Sequence, residues 1–120
     1  MSDSPHTVIC TELYRQGYLP ASWFAADSAY AHAYIDETTR AVYIAWAKPV
    51  VAWMQRSSLI TQFVRPFGMA WAQHMAYVMG TSETDSSLGR LINDIGVPLH
   101  QAVGKFLVAH HFLEPVAIRQ

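Results

Sequence analysis

The sequence predicts an all-α fold, a compact bundle of about five helices forming a single domain over residues 1–120, and three observations carry that expectation. Apolar residues recur at three- and four-residue spacing through most of the chain, the period of a helix with one buried face. Capping and stop residues stand where those series begin and end. The one continuous apolar run that could be a buried strand lies in a segment of about twenty residues, a length that favours a helix.

The elements follow in order. Val8, Ile9, Leu13 and Tyr14 mark a two-turn helix that ends at Gly17. A second helix runs from Ala21 to about Tyr34, with Trp23, Phe24, Tyr30 and Tyr34 set among alanines. A third spans Glu37 to Arg56 after Asp36, a good N-cap, and it is apolar on every side from Ala41 to Ala47. The fourth carries Leu59, Ile60, Phe63, Val64, Phe67, Trp71, Met75, Val78 and Met79, with Ser57 or Ser58 as cap and Gly80 as stop. The fifth carries Leu88, Leu91, Ile92, Ile95, Leu99, Val103, Phe106 and Leu107 after Ser86 or Ser87. These two stripes are read as core, with Phe63 and Trp71 as large buried aromatics. Of the other tryptophans, Trp46 falls on a core face and Trp53 stays open. Pro49, Pro66 and Pro98 lie inside predicted helices, where a missing N–H and a crowded carbonyl predict a kink or a split. The first six residues read as a loose tail, and the stretch from His110 to Gln120 as either a loose tail or a segment that docks on a partner.

Composition then limits function. Hydrophobic residues make up 52% of the chain and charged residues 14%, against about 25% charged in an average soluble domain. The net charge of −1 offers no general attraction to a phosphate backbone, so nucleic acid is not an expected partner. The N-terminus lacks the basic and apolar regions of a secretory signal. No stretch has the roughly 20 apolar residues of a spanning helix. A chain this poor in charge, yet without a membrane span, implies that neighbours cover part of its surface, either copies of itself or another protein.

The chemistry-bearing residues are few. Cys10, the only cysteine, reads first as a small buried residue beside Val8 and Ile9. Its place near a helix start also allows a dipole-lowered thiolate working with a histidine such as His100. With Glu12 and Arg15 these complete the candidate site residues. His74 reads as a helix residue bonded to a carbonyl. No histidine pair has the spacing of a zinc site, and the glycines stand alone rather than in a phosphate loop, so no metal, cofactor or small-molecule substrate is expected. Arg40, Lys48, Arg56 and Arg65 face an acidic first third with Asp3, Glu12, Asp27 and Asp36. That division allows either internal balance or a head-to-tail contact between copies.

The run Val8-Ile9-Cys10-Thr11-Glu12-Leu13-Tyr14-Arg15-Gln16-Gly17-Tyr18-Leu19-Pro20 carries a resemblance, together with Trp46-Ala47-Lys48-Pro49-Val50-Val51, Trp71-Ala72-Gln73-His74-Met75-Ala76 and Gly96-Val97-Pro98-Leu99. From about Val8 to Phe106 the chain resembles a small module of proteobacteria and their phages and prophages. That module occurs alone or at the end of tail-fibre-type proteins. The family supplies no catalytic residues to carry over. Many relatives have Cys where this chain has His100, which puts a paired-cysteine role for Cys10 in doubt. The resemblance implies a non-enzymatic structural or accessory subunit of a virion, tail or tail-fibre associated, whose partners are other virion proteins or further copies. The alternatives are a membrane-interacting, lysis-related protein and a small enzyme using Cys10 with a histidine.

Overall fold

The computed structural model describes residues 8–110. Among the described residues the regular elements are five helices: α1 (Val8–Arg15), α2 (Ala21–Tyr34), α3 (Glu37–Arg56), α4 (Ser58–Val78) and α5 (Ser87–Ala109). The helix ends obey the local rules that the sequence carries. Asp36 Oδ1 accepts from Thr39 N–H at 2.7 Å, Ser57 Oγ from Ile60 N–H at 3.4 Å and Ser86 Oγ from Gly89 N–H at 3.0 Å. Each satisfies a backbone donor that the first turn leaves unpaired. Gly17 and Gly80 adopt positive φ, 91° and 85°. They end α1 and α4 in the same way: Gly17 N–H meets Tyr14 O and Tyr18 N–H meets Leu13 O, while Gly80 N–H meets Tyr77 O and Thr81 N–H meets Ala76 O. Both are Schellman closures, in which glycine takes the left-handed position without a Cβ penalty.

The prolines do not split the helices. α3, α4 and α5 continue through Pro49, Pro66 and Pro98. All three prolines are exposed, and so are Ala45, Gln62 and Asp94 one turn earlier. The carbonyls freed by the missing N–H groups therefore lie on the solvent side, where hydration replaces the lost bonds.

Short as it is, α1 lies at the centre and touches α2, α3 and α4. Its Cys10 and Leu13 are fully buried, and Ile9 nearly so. The Ile9 N–H, unpaired in the first turn, donates to Tyr43 Oη of α3 at 3.0 Å. Leu13 packs over Gly68 of α4, where an added Cβ would sit 2.7 Å from Leu13 Cδ1. Around them Tyr30, Tyr43, Ala47, Met54, Ala72 and Met75 complete the core.

Two core expectations need correction. Phe63 is 70% exposed and Trp46 44%, so neither is a core residue; Trp71 is partly buried, and Trp53 is exposed. The apolar stripe of α5 also faces outward: Leu88, Leu91, Ile95, Leu99 and Phe106 are all exposed, and the buried residues of this helix are Gly89 and Gly104. The cause is close approach. A Cβ on Gly89 would overlap the Ala70 carbonyl of α4, and one on Gly104 would lie 2.6 Å from Thr38 Cγ2 of α3. Backbone, not bulk, makes the inner face of α5. The expected N-terminal tail lies outside the described residues, as does the C-terminal one beyond His110. His110 itself closes α5, donating its N–H to Phe106 O at 3.1 Å.

Candidate functional site

Where α5 leaves α4 to cross α3, side chains from four helices enclose an apolar cavity of about 360 Å³. This falls within the range of small-molecule pockets. α1 supplies Ile9 and Cys10, α3 supplies Thr39, Arg40, Tyr43, Trp46 and Val50, α4 supplies Phe63, Val64, Phe67, Gly68 and Trp71, and α5 supplies Ile92, Gly96, Val97 and His100. The lining is almost wholly apolar. Exposed Trp46, Phe63 and Phe67 also border solvent. A more polar cleft lies between the start of α3 and the end of α5, around Asp36, Thr38, Gln101 and Lys105, and Thr39 borders both spaces.

Cys10 and His100, far apart in sequence, both line this cavity. Each is committed elsewhere. Burial pushes the Cys10 thiol well above its ordinary pKa, and the neighbouring Asp27 carboxylate adds to the effect. These outweigh the helix-start position that the sequence offered as a route to a thiolate. His100 Nε2 lies 2.7 Å from Trp46 Nε1, which can only donate, and its Nδ1 lies 2.6 Å from the Gly96 carbonyl, which can only accept. Together these contacts match the tautomer that donates from Nδ1 and leave neither nitrogen free.

Glu12 and Arg15 lie away from the cavity. Arg15 donates to Glu12 through Nε at 2.9 Å and Nη2 at 2.6 Å, and Gln16 and Gln55 donate to the same carboxylate at 2.7 and 3.0 Å. Burial alone would raise the pKa of Glu12; the bonds from Arg15, Gln16 and Gln55 prevail, and it falls below its ordinary value. The cluster ties α1 to the end of α3, a structural task. Glu12 and Asp27 are both buried, which removes two of the four acids from the surface that a head-to-tail contact would need, and Asp3 lies outside the described residues.

One polar cluster carries no periodic signal in the sequence. His74 of α4 meets Asp85, not a carbonyl: Nδ1 lies 2.9 Å from Asp85 Oδ1. Ser86 N–H donates to the same oxygen at 2.7 Å, and Arg90 donates to Oδ2 at 3.1 and 2.6 Å. Burial pushes Asp85 upward, but the bonds from His74, Arg90 and Ser86 and the charge of His74 bring it down to about 2. The cluster fastens the connection before α5 onto α4. Among the described residues no three His, Cys, Asp or Glu side chains gather as metal ligands. Comparison with protein-family models, with curated proteins and with solved structures gave no match.

Proposed function

We propose that this chain is a non-enzymatic assembly subunit that packs apolar helix faces against neighbouring proteins in a larger particle. The observation that carries the reading is the outward stripe of α5. Ile95 and Leu99 are 59% and 58% exposed, in one row with Leu88, Leu91 and Phe106, while Leu59, Phe63 and Phe67 stand out from α4. Rows of this kind mark an interaction surface on a soluble protein. Among the described residues no helix is long and apolar enough to cross a membrane. The occupied ring nitrogens of His100 and the raised thiol of Cys10 support the non-enzymatic part of the reading.

The resemblance to phage and prophage tail-fibre modules points to the virion as the particle and to other virion proteins, or further copies, as the neighbours. Two measurements test this. Sedimentation of the purified chain should show self-association, or a monomer that enters a larger species when the neighbouring virion proteins are present. Mass spectrometry of density-purified particles should then find the chain at a fixed ratio to tail proteins. A chain that stays monomeric with all of them and is absent from particles would overturn the reading. Flotation with anionic vesicles in the same experiment would instead favour the membrane-interacting alternative.

A further inference from the structure

The exposed apolar row of α5 has the same spacing read from either end. It consists of Leu88, Leu91, Ile95, Leu99, Val103 and Phe106, each between 38% and 59% exposed, and successive members stand 3, 4, 4, 4 and 3 residues apart. The centre falls at Val97, so Leu88 mirrors Phe106, Leu91 mirrors Val103 and Ile95 mirrors Leu99. At the helical rise the row extends for about 27 Å. α4 and α3 press on Gly89 and Gly104, about 120° around the helix, which leaves the row open along its length.

This symmetry has a physical meaning. When two identical helices pack antiparallel about a two-fold axis, each residue meets the one that lies equally far beyond the axis in the other copy, and every contact occurs twice. With the axis at Val97, Ile95 meets Leu99, Leu91 meets Val103 and Leu88 meets Phe106. Only this register gives all six a counterpart. At roughly 200 Å² for a large side chain fully exposed, the row presents about 600 Å² per copy. Two rows face to face therefore bury about 1,200 Å², the size at which specific interfaces begin.

Charge agrees with the same arrangement. Asp94 and Lys105 are exposed and flank the row on the side away from the glycines, while Arg90 is held by Asp85. In the antiparallel pair these two flanks adjoin. Asp94 then lies about 7 Å along the axis from the second copy's Lys105, against about 9 Å between the two Asp94 and about 24 Å between the two Lys105. Opposite charges are thus nearer than like ones. Parallel pairing would put the flanks on opposite sides of the pair, where Asp94 and Lys105 meet no opposite charge from each other's chain.

We infer that the neighbour on α5 is a second copy of this chain, docked antiparallel along the row about a two-fold axis at Val97. The inference rests on the assembly reading and names its first contact.

Sedimentation of the purified chain should give a dimer, and Ile95→Glu and Leu99→Lys should each weaken it by about tenfold or more. Both side chains are more than half exposed, so circular dichroism and thermal midpoints should stay close to wild type. The two variants mixed should regain the dimer, because the introduced carboxylate and ammonium then face each other across the axis while the native Leu99 and Ile95 still meet. Disulfide trapping checks the register. Leu91→Cys mixed with Val103→Cys should cross-link under mild oxidation, whereas either variant alone should not, its two sulfurs standing about 18 Å apart along the axis. Cys10 is buried and stays out of this reaction. Cross-linking of Leu91→Cys with itself would overturn the antiparallel arrangement, and so would a dimer that Ile95→Glu and Leu99→Lys leave intact. A monomer at the highest soluble concentration would overturn the second copy as occupant; if that monomer still enters particles, the assembly reading stands and the row belongs to another protein. A dimer with the expected cross-links that is absent from every particle would uphold the α5 contact and sink the assembly reading instead.

Discussion

Asp85 shows how much one side chain organises. It receives His74 from α4, the Ser86 N–H before α5 and Arg90 from the first turn of α5. With a folded-state value of about 2, against an ordinary carboxylate near 3.9, Asp85 binds protons more weakly in the folded chain than in the unfolded one. Its contribution is therefore complete above about pH 4 and is lost as pH falls toward 2. Thermal midpoints between pH 5 and pH 2 should drop in the wild type, and Asp85→Asn should flatten part of that slope while lowering the midpoint at neutral pH. Equal slopes in the two proteins would show that the cluster contributes nothing. Cys10 illustrates the opposite pull, where burial beside Asp27 keeps the thiol protonated. No sequence rule weighs burial against a helix dipole until the neighbours are known.

Among the elements, α5 is the most informative, since its local signals and its packing diverge. A serine cap at 86 or 87, the length of the helix and its period were all legible in the sequence. So were the five helices and the Gly17 and Gly80 closures, because caps and periodicity are set by residues a few positions apart. The direction of the buried face was not. Periodicity measures where bulk lies, and an inner face built from Gly89, Gly96 and Gly104 has almost no bulk to detect. By the helical geometry the exposed row is turned about 120° from that glycine row. Gly89→Ala should cost about 1 to 3 kcal/mol through overpacking against Ala70, whereas Gly96→Ala, with open space at its Cβ, should stabilise by up to about 1 kcal/mol. Denaturant midpoints of the two variants, measured side by side, check the assignment, and it fails if their order is reversed. The candidate site was legible to the same degree. Cys10 and His100 stood out by chemistry and do meet one cavity. Thr39 gave no signal and Arg40 stood out only as one of four basic residues, because an unsatisfied donor, the Thr39 hydroxyl or the Arg40 Nε, is a property of the fold rather than of a motif.

At the scale of the whole molecule, the apolar surplus is divided between a core around α1 and an outer face on α4 and α5. Truncations separate the two. Leu13→Ala, at a fully buried site, should lower unfolding free energy by about 2 to 5 kcal/mol. Phe63→Ala should change it little, because the ring is 70% exposed, yet should weaken any association seen by sedimentation. Comparable destabilisation by both would return Phe63 to the core and remove the outer face as a distinct surface.

The glycine contacts of α5 leave two kinds of position on one helix with different freedom to change. At 89 and 104 the requirement is for missing atoms, so almost any replacement pushes the helix off its seat. At 88, 91, 95, 99 and 106 about half of each side chain faces outward, so an exchange there should disturb the scaffold far less than one at the two glycines. On the assembly reading proposed above, altering the outer row alone would refit the same body to a new neighbour, with α5 as an interchangeable fitting carried on a constant frame.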